Sequence, residues 1–384
     1  MDTVIQNAFE RTFDKEKREN KTPDEDYSPY QPEYNEEKVQ EEFDVDVHQA
    51  KIVVVGAGGA GNNTVTTLHE MGVDGAETIA INTDAKHLSI TKADKKILIG
   101  KDTTEGLGAG GYPKVGRKAA EESRRELKDE IEDADMVFIT CGLGGGTGTG
   151  ASPEIAKLAK DSGSIVIGTV TMPFKMEGTR ILKAEEGLKK LRKVSDTVIV
   201  IENQKLLDYA GDLPVKQAFA VADELISTMI KGVTETITQP SLVNLDYADV
   251  KSIMHSGGVA AIGIGEADSS ERAKEAIAKA MKHPLLEMDY SGADGAIVQI
   301  IGGEDLKLDE INEVGETISN QLDPEAQVIW GAKVMPEYSG NIQVISIITG
   351  VKSPYIVGPD RESAAQNEER EFSEELGIPV VESN

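Results

Sequence analysis

Residues 136–150 read MVFITCGLGGGTGTG, and this stretch decides the fold class. Its beginning, MVFIT at 136–140, is apolar and predicts a buried strand. Five glycines and two threonines then fill positions 144–150. Because glycine costs conformational entropy, so many glycines between a strand and a helix indicate a nest of backbone N–H groups for phosphate oxygens, not a spacer. The two threonine hydroxyls add further donors.

The chain contains a second loop of this kind. KIVVV at 51–55 is an apolar, β-branched run that predicts a strand, and it ends in GAGGAG at 56–61. The spacing Gly56-x-Gly58-x-x-Gly61 lets the backbone approach a phosphate while a helix N-terminus supplies N–H groups. This loop alone fits a dinucleotide-binding dehydrogenase equally well. Two such loops predict a polyphosphate held between two helix N-termini, and because neither contains a lysine, we expect Mg²⁺ to compensate the phosphate charge.

Strands and helices alternate from residue 51 to about 210, which predicts a parallel sheet covered on both faces. The predicted helices of this region are 62–71, 153–160 and 182–193. Residues 215–238 read as one long helix with an apolar stripe, and an α+β region follows. We therefore predict an α/β protein in which a Rossmann-like, parallel-sheet nucleotide-binding domain is joined by a long central helix to a smaller α+β domain. The predicted boundaries are a disordered acidic extension 1–49, the nucleotide-binding domain 50–213, the central helix 214–238, the α+β domain 239–352, and an acidic linker with a tail 353–384.

Composition excludes several classes of protein. The net charge of −28 argues against a nucleic-acid partner, which requires a basic surface, and against direct docking on anionic lipid. The single cysteine, Cys141, excludes an internal disulfide framework and is expected to pack as a small apolar side chain. No apolar run has the length of a membrane span, and the first 20 residues are charged. We expect a cytoplasmic protein that meets a membrane only indirectly.

The glycine loops stand among other short motifs that together resemble one family. GGGTGTG and GAGGAGNN at 56–63 are accompanied by NTD at 82–84, GLGAGGYPKVGRKAA at 106–120, PFKMEG at 173–178, ENQKLL at 202–207 and PSLVNLDYADV at 240–250. This combination resembles the tubulin and FtsZ family of polymerising GTPases, in particular archaeal FtsZ. The resemblance covers roughly residues 50–350. It implies the tubulin-type fold, GTP and GDP as ligands, and head-to-tail filaments that build a cell-division ring.

The resemblance also implies the residues that contact the nucleotide. The first phosphate loop corresponds to Gly58, Gly59, Gly61 and Asn63, and the signature loop to Gly145, Gly146, Thr147, Gly148 and Thr149. Loops near the γ-phosphate and metal correspond to Thr83, Asp84, Ala109, Gly110 and Gly111. The ribose contacts correspond to Glu177 and Arg180, and the guanine contacts to Asn203, Phe219 and Asp223.

The last pair also makes physical sense without the resemblance. Phe219 and Asp223 are four residues apart, so on a helix they share one face. Phe219 could then stack on a purine while Asp223 accepts hydrogen bonds from guanine N1–H and N2–H₂. The alternative is that Phe219 is an ordinary core residue.

A third motif, at 244–249, follows the long helix. Asp246 and Asp249 could simply be an N-cap and a first-turn acid of a helix. The resemblance implies instead that Asn244, Asp246 and Asp249 are catalytic and enter the nucleotide site of the next subunit, where the acids polarise the attacking water. A site divided between subunits in this heterologous way generates open filaments. The competing functions are a nucleotide-regulated scaffold with weak hydrolysis and an NAD-dependent oxidoreductase.

The C-terminal tail, residues 371–384, contains EFSEELGIPVV after a polar linker. The tail is similar in outline to a terminal peptide with an Ile-Pro element in bacterial relatives, and this resemblance implies that it binds division-ring anchor or regulator proteins as an amphipathic peptide; a frayed terminus is the alternative.

Overall fold

The structure, a computed structural model, describes residues 50–204, 212, 214–239, 241–243, 247–257, 260–281, 290, 292–351 and 356–357. The acidic extension 1–49, the catalytic candidates Asn244 and Asp246, and the tail 371–384 lie outside these residues.

The first part of the described chain alternates strands and helices, as predicted. In chain order its elements are β1 (Ile52–Ala57), α1 (Gly58–Met71), β2 (Ala76–Asn82), α2 (Ala85–Ile90), β3 (Lys95–Leu98), α3 (Lys101–Thr104), α4 (Pro113–Glu122), α5 (Arg124–Ile131), β4 (Met136–Gly142), α6 (Thr147–Asp161), β5 (Ile165–Met172), α7 (Thr179–Arg192) and β6 (Thr197–Glu202).

These strands form the parallel sheet that the sequence predicts. The strand order is β6-β5-β4-β1-β2-β3, and the six strands are parallel. Along β1, Ile52 and Val54 belong to one buried cluster, while Val53 and Val55 belong to another. Because alternate side chains of a strand point to opposite faces, both faces of this sheet are covered.

The helices that follow the two glycine loops begin earlier than predicted. Helix α1 begins at Gly58 instead of residue 62, and α6 begins at Thr147 instead of residue 153. Glycine has low helix propensity, so a glycine run does not signal the start of a helix. In the structure the small glycines allow each helix to start against neighbouring backbone: a Cβ at Gly150 would lie 2.1 Å from the carbonyl oxygen of Pro113.

The long helix α8 (Val215–Thr238) has the bounds that the sequence predicts. After it come α9 (Tyr247–Gly257), β7 (Ala260–Ala267), α10 (Arg272–Met281), β8 (Gly295–Gly302), α11 (Leu308–Ser319), β9 (Gln327–Val334) and β10 (Ile342–Thr349). Strands β7, β10, β8 and β9 form a mixed sheet in that order. One buried cluster contains apolar residues of α8 together with residues of both sheets, so α8 joins the two sheets through a continuous core.

A short strand, β11 (Ile356–Val357), pairs antiparallel with β6 at the edge of the first sheet. The sequence predicts only a polar linker after residue 353, so at these two positions the prediction is wrong. Ile356 and Val357 are both apolar and β-branched, but a run this short does not stand out from the composition of the segment. No helix within the described part of the chain combines the length and apolar character needed to cross a bilayer.

Candidate functional site

The two glycine loops meet at the carboxyl ends of β1 and β4. A Cβ at Gly58 would lie 2.8 Å from the backbone nitrogen of Gly148, and one at Gly61 would lie 2.2 Å from the carbonyl oxygen of Thr140. Gly58 also has a positive φ of 74°, which favours glycine. The N-termini of α1 and α6 are therefore in contact, and together they can bind anionic oxygens through free N–H groups.

Two further loops join this edge of the sheet. The hydroxyls of Thr83, after β2, and Thr147, at the start of α6, are 2.6 Å apart. A Cβ at Gly146 would lie 2.7 Å from the Cβ of Ala109 and 3.0 Å from the nitrogen of Tyr112. The structure thus brings together the candidate phosphate residues from all four loops.

Asp84 serves locally as the N-cap of α2. Its Oδ1 accepts hydrogen bonds from the backbone nitrogens of Lys86 (2.9 Å) and His87 (3.1 Å). The described residues contain no cluster of three or more His, Cys, Asp or Glu side chains that could hold a metal ion. The oxygens at this edge, the Thr83 and Thr147 hydroxyls and Asp84, fit a Mg²⁺ that takes most of its ligands from phosphate and water.

A cavity of about 680 Å³ lies beside the N-terminal half of α1. Four of the predicted site residues line it: Asn63, Asn203, Phe219 and Asp223. The Phe219 side chain is 42% exposed, so the alternative that it is a core residue is wrong. The Phe219 and Phe174 rings meet edge to face, with centroids 5.9 Å apart. The cavity therefore has an aromatic surface and polar side chains, the composition that a purine base requires.

Asp223 is a largely buried acid of this cavity. The Thr64 hydroxyl donates a hydrogen bond to its Oδ1 at 2.7 Å. Burial raises the pKa of the Asp223 carboxyl to about 6, and the hydrogen bond from Thr64 acts in the opposite direction. Above about pH 6 the carboxylate can accept further hydrogen bonds from a ligand.

The two candidate ribose contacts are paired with each other. The Arg180 guanidinium donates to Glu177 Oε2, and Glu177 Oε1 accepts from the backbone nitrogen of Phe174 at 3.0 Å. The backbone of Arg180 also lies against the signature loop, because a Cβ at Gly144 would be 2.9 Å from the Arg180 carbonyl oxygen. Arg180 thus adjoins the signature loop, and Glu177 is paired with it.

Sequence reasoning missed two residues that shape the phosphate loops. Asn62 is fully buried, and with its amide nitrogen facing the loop it donates to the carbonyl oxygen of Gly56 at 2.7 Å. Lys183 of α7 donates to the carbonyl oxygen of Gly111 at 2.8 Å, which puts a positive charge next to loops that contain no lysine. The doubled asparagine after GAGGAG was the signal for Asn62, whereas a lone lysine on a helix gives no signal.

Asp249 lies at the other end of the first sheet. It is in the first turn of α9, whose first residue, Tyr247, donates a hydrogen bond to the carbonyl oxygen of Asp135 at 2.9 Å. Asp135 directly precedes β4, whereas the signature loop follows that strand. A strand of seven residues is about 20 Å long. The structure therefore does not bring Asp249 together with the phosphate loops of its own chain.

Comparison with known proteins identifies the family. The family model for the Tubulin/FtsZ GTPase domain matches residues 51–211, and the model for the FtsZ C-terminal domain matches residues 258–352. The chain is 57% identical over 315 residues to cell division protein FtsZ 2 of Methanocaldococcus jannaschii, covering 81% of this chain and 83% of that protein. The chain belongs to the FtsZ family.

Other FtsZ proteins agree with this assignment. Cell division protein FtsZ 1 of Pyrococcus furiosus is 54% identical over 334 residues, covering 87% of this chain and 89% of that protein. The solved FtsZ dimer of M. jannaschii is similar with a TM-score of 0.75 and 51% identity, covering 83% of this chain and 93% of that chain. CetZ2 of Haloferax volcanii, at 23% identity and a TM-score of 0.67, shares the fold.

Membership of the FtsZ family establishes guanine nucleotide binding and GTPase activity in general, and the oxidoreductase alternative is set aside. Cys141 is 2% exposed, and burial raises the pKa of its thiol to about 12. An inert packing role for Cys141 agrees with both observations.

Proposed function

We propose that this chain is a GTPase of the FtsZ type that assembles head to tail, and that the GTP of one subunit is hydrolysed by acids of the next. The observation that carries this proposal is the separation of α9 from the phosphate loops by the length of β4. Asp249, and with it Asn244 and Asp246, would then act on the nucleotide of a neighbouring subunit. The relatives named cell division proteins support a place in the division ring, at the site of septation.

The site residues divide by the part of GTP that they contact. Phe219 stacks on guanine, and Asp223 and Asn203 bind its edge. The phosphates are bound by Gly58, Gly59, Gly61, Asn63, Gly145, Gly146, Thr147, Gly148 and Thr149, the γ-phosphate side by Thr83, Asp84, Ala109, Gly110 and Gly111, and the ribose by Glu177 and Arg180. Thr83, Thr147 and Asp84 support a Mg²⁺ held mainly by phosphate oxygens and water, which supplies positive charge to the phosphates.

Exposed apolar side chains near the phosphate loops and before α9 support subunit contacts. Around the phosphate loops, Leu107 is 79% exposed, Met176 91% and Leu182 68%. Leu242, which precedes α9, is 72% exposed. Exposed apolar side chains at these positions are available to pack against a neighbouring subunit. A contact that joins one end of a subunit to the opposite end of the next is heterologous and repeats into an open filament.

In this mechanism the residues of the protein position the phosphates and the attacking water and do little covalent chemistry. The glycine loops hold the phosphates, and the acids of the next subunit orient and polarise the attacking water. Hydrolysis therefore requires a neighbour. GTP favours the filament, and conversion to GDP loosens it. An FtsZ dimer among the solved structures supports self-association.

Phosphate release and light scattering, measured together over a range of protein concentrations with GTP, test the proposal. We expect the rate per subunit to rise where scattering shows polymer. Asp249→Ala should still form polymer but keep the low rate of dilute protein. Asp309→Ala is the matched control, since Asp309 is also an acid in the first turn of a helix, α11.

Three outcomes would contradict the proposal. Dilute wild-type protein could hydrolyse GTP at the full rate, or Asp249→Ala could turn over normally within polymer. Asp249→Ala could also lose the polymer while the turnover of dilute protein is unchanged. The competing scaffold function predicts the second of these outcomes, because it assigns the acids no role in hydrolysis.

A further inference from the structure

Thr64 of α1 differs from other helical threonines of the chain in its hydrogen bonding. The hydroxyls of Thr66 and Thr317 donate to the carbonyl four residues earlier, at 2.8 Å and 2.7 Å. For Thr64 the corresponding distance, to the carbonyl oxygen of Ala60, is 3.3 Å, whereas Asp223 Oδ1 is at 2.7 Å. A hydroxyl has one proton, and the shorter contact to a carboxylate is the stronger bond. The Thr64 hydroxyl therefore donates to α8, not to its own helix.

A second hydrogen bond fixes the two helices at the same level. The Ser227 hydroxyl, one turn after Asp223 on α8, donates to the carbonyl oxygen of Thr64 at 3.2 Å. Thr64 is 2% exposed and Ser227 is fully buried. With its backbone held by Ser227, Thr64 has a defined position from which to direct the Asp223 carboxylate.

One oxygen of that carboxylate remains available for a ligand. Within the described part of the chain, Asp223 Oδ2 makes no hydrogen bond, and the residue lines the cavity beside Phe219. Guanine presents two adjacent donors, N1–H and N2–H₂, which a correctly oriented carboxylate can accept. Adenine presents an acceptor at N1, and hypoxanthine lacks the N2 amino group.

We propose that Thr64 is a positioning residue that orients the Asp223 carboxylate and thereby sets the preference of the site for guanine over hypoxanthine nucleotides. The inference rests on the proposed role of Asp223 in guanine binding. Thr64 does not itself contact the base and acts through Asp223.

The electrostatics of the cavity agree with this role. Burial raises the pKa of Asp223, and the Thr64 hydroxyl is the group that opposes the rise by stabilising the charged form. Glu70 of α1 and His87 of α2 also line the cavity, and neither contributes to the shift. Without the hydroxyl, the carboxyl should remain protonated to a higher pH and lose its ability to accept two hydrogen bonds.

The test compares the affinities of GDP and inosine diphosphate for the full chain and its variants at pH 7. Thr64→Val keeps the side-chain shape but removes the hydroxyl, and Thr64→Ser keeps the hydroxyl. We expect Thr64→Val to weaken GDP binding by about tenfold and to reduce the GDP preference, while Thr64→Ser stays close to wild type. Thr317→Val, which removes only a hydrogen bond within a helix, should change neither affinity.

Two further measurements separate positioning from a merely structural role. In the Asp223→Asn background, Thr64→Val should have no further effect on GDP binding, because the group through which it acts is altered. The pH midpoint of GDP binding should rise in Thr64→Val and return to the wild-type value in Thr64→Ser.

Equal weakening of GDP and inosine diphosphate by Thr64→Val, or an unchanged preference, would overturn the inference. If Asp223→Asn itself left the preference unchanged, Asp223 would not bind the guanine edge, and the proposed assignment of the base site would fail first. Thermal unfolding of each variant shows whether it is folded, and the Thr64→Ser result keeps the inference testable if Thr64→Val is unstable.

Discussion

The Tyr247 hydroxyl donates a 2.9 Å hydrogen bond to the carbonyl oxygen of Asp135 and so attaches the start of α9 to the amino end of β4. Burial raises the pKa of Tyr247 to about 12, so the hydroxyl remains a donor at physiological pH. This bond fixes the helix that bears Asp249 at the end of the sheet opposite to the phosphate loops.

Tyr247→Phe should therefore affect hydrolysis more than nucleotide binding. The variant removes one of two donors to the carbonyl oxygen of Asp135, which also accepts from the backbone nitrogen of Ile165 at 2.8 Å, and should lower the free energy of unfolding by about 0.5–1 kcal/mol. With α9 less firmly held, we expect GTP turnover in polymer to fall several-fold while GDP affinity is unchanged. Denaturant unfolding, phosphate release and GDP titration measure the three effects. A fall in GDP affinity as large as that in turnover would contradict the assignment of α9 to the neighbouring site.

Gly146→Ala should separate the signature loop from the loop around Ala109. The φ of Gly146 is −85°, so alanine causes no backbone strain there. Its Cβ, however, would lie 2.7 Å from the Cβ of Ala109, and we expect GDP affinity to fall at least tenfold. Gly315→Ala is the matched control: a Cβ there would meet nothing within 4 Å, so it should stabilise α11 by about 0.5–1 kcal/mol. Titration with GDP checks both, and normal binding by Gly146→Ala would show that the two loops do not form one site.

The pH dependence of GDP binding should report the state of Asp223. With a pKa of about 6 in the free protein, protonation competes with the ligand, so affinity should fall about tenfold between pH 7 and pH 5. Because the GDP phosphate titrates in the same range, the measurement is the ratio of wild-type to Asp223→Asn affinities. That ratio should decline as the pH falls, and a constant ratio would exclude Asp223 as an acceptor.

Protonation of Asp223 should stabilise the unliganded folded protein, whereas it weakens GDP binding. The folded-state pKa, about 6, exceeds the ordinary value of 3.8, so the folded state binds the proton more tightly. The contribution of this group to the free energy of unfolding is greatest below the ordinary pKa and is lost as the pH rises to about 6. Comparison of wild type with Asp223→Asn by thermal unfolding over this range checks the sign.

Arg272 is the buried charge that stabilises the α+β region. It is 7% exposed and binds both oxygens of Glu310, at 2.7 Å and 3.0 Å, and Asp305 Oδ2 at 2.6 Å. Arg272→Met removes the partner of two carboxylates that are themselves 45% and 18% exposed, and we expect it to lower the free energy of unfolding by about 2 kcal/mol. Lys274→Met, at an exposed ion pair of 3.8 Å, should change it by less than about 0.5 kcal/mol.

The same cluster predicts a loss of stability in acid. Arg272 holds the pKa values of Glu310 and Asp305 below their ordinary values of 4.5 and 3.8. Their contribution is therefore complete above those ordinary values and is lost as the pH falls through the lowered ones. Acid unfolding followed by circular dichroism should begin at a higher pH in Arg272→Met, and an unchanged midpoint would contradict this role.

Much of the fold could be predicted because its signals are local. The long helix has a continuous apolar stripe and a following proline, and its predicted bounds, 215–238, are confirmed. The strands before the glycine runs are apolar enough to be found without further information. The starts of α1 and α6 could not be predicted. Glycine is required there because distant loops approach too closely for a Cβ, and local helix propensity does not reveal such contacts.

The features of the candidate site likewise divide into those that the sequence predicts and those that only the structure shows. The sequence alone determined that two glycine loops follow buried strands and that Phe219 and Asp223 share a helix face, because both follow from short spacings along the chain. Only the tertiary structure decided that Thr64 binds Asp223 and that α9 stands a strand's length from the phosphate loops. Those relationships depend on how helices pack across a sheet, which joins residues far apart in the chain, 159 positions for Thr64 and Asp223, and leaves no periodic pattern in the sequence.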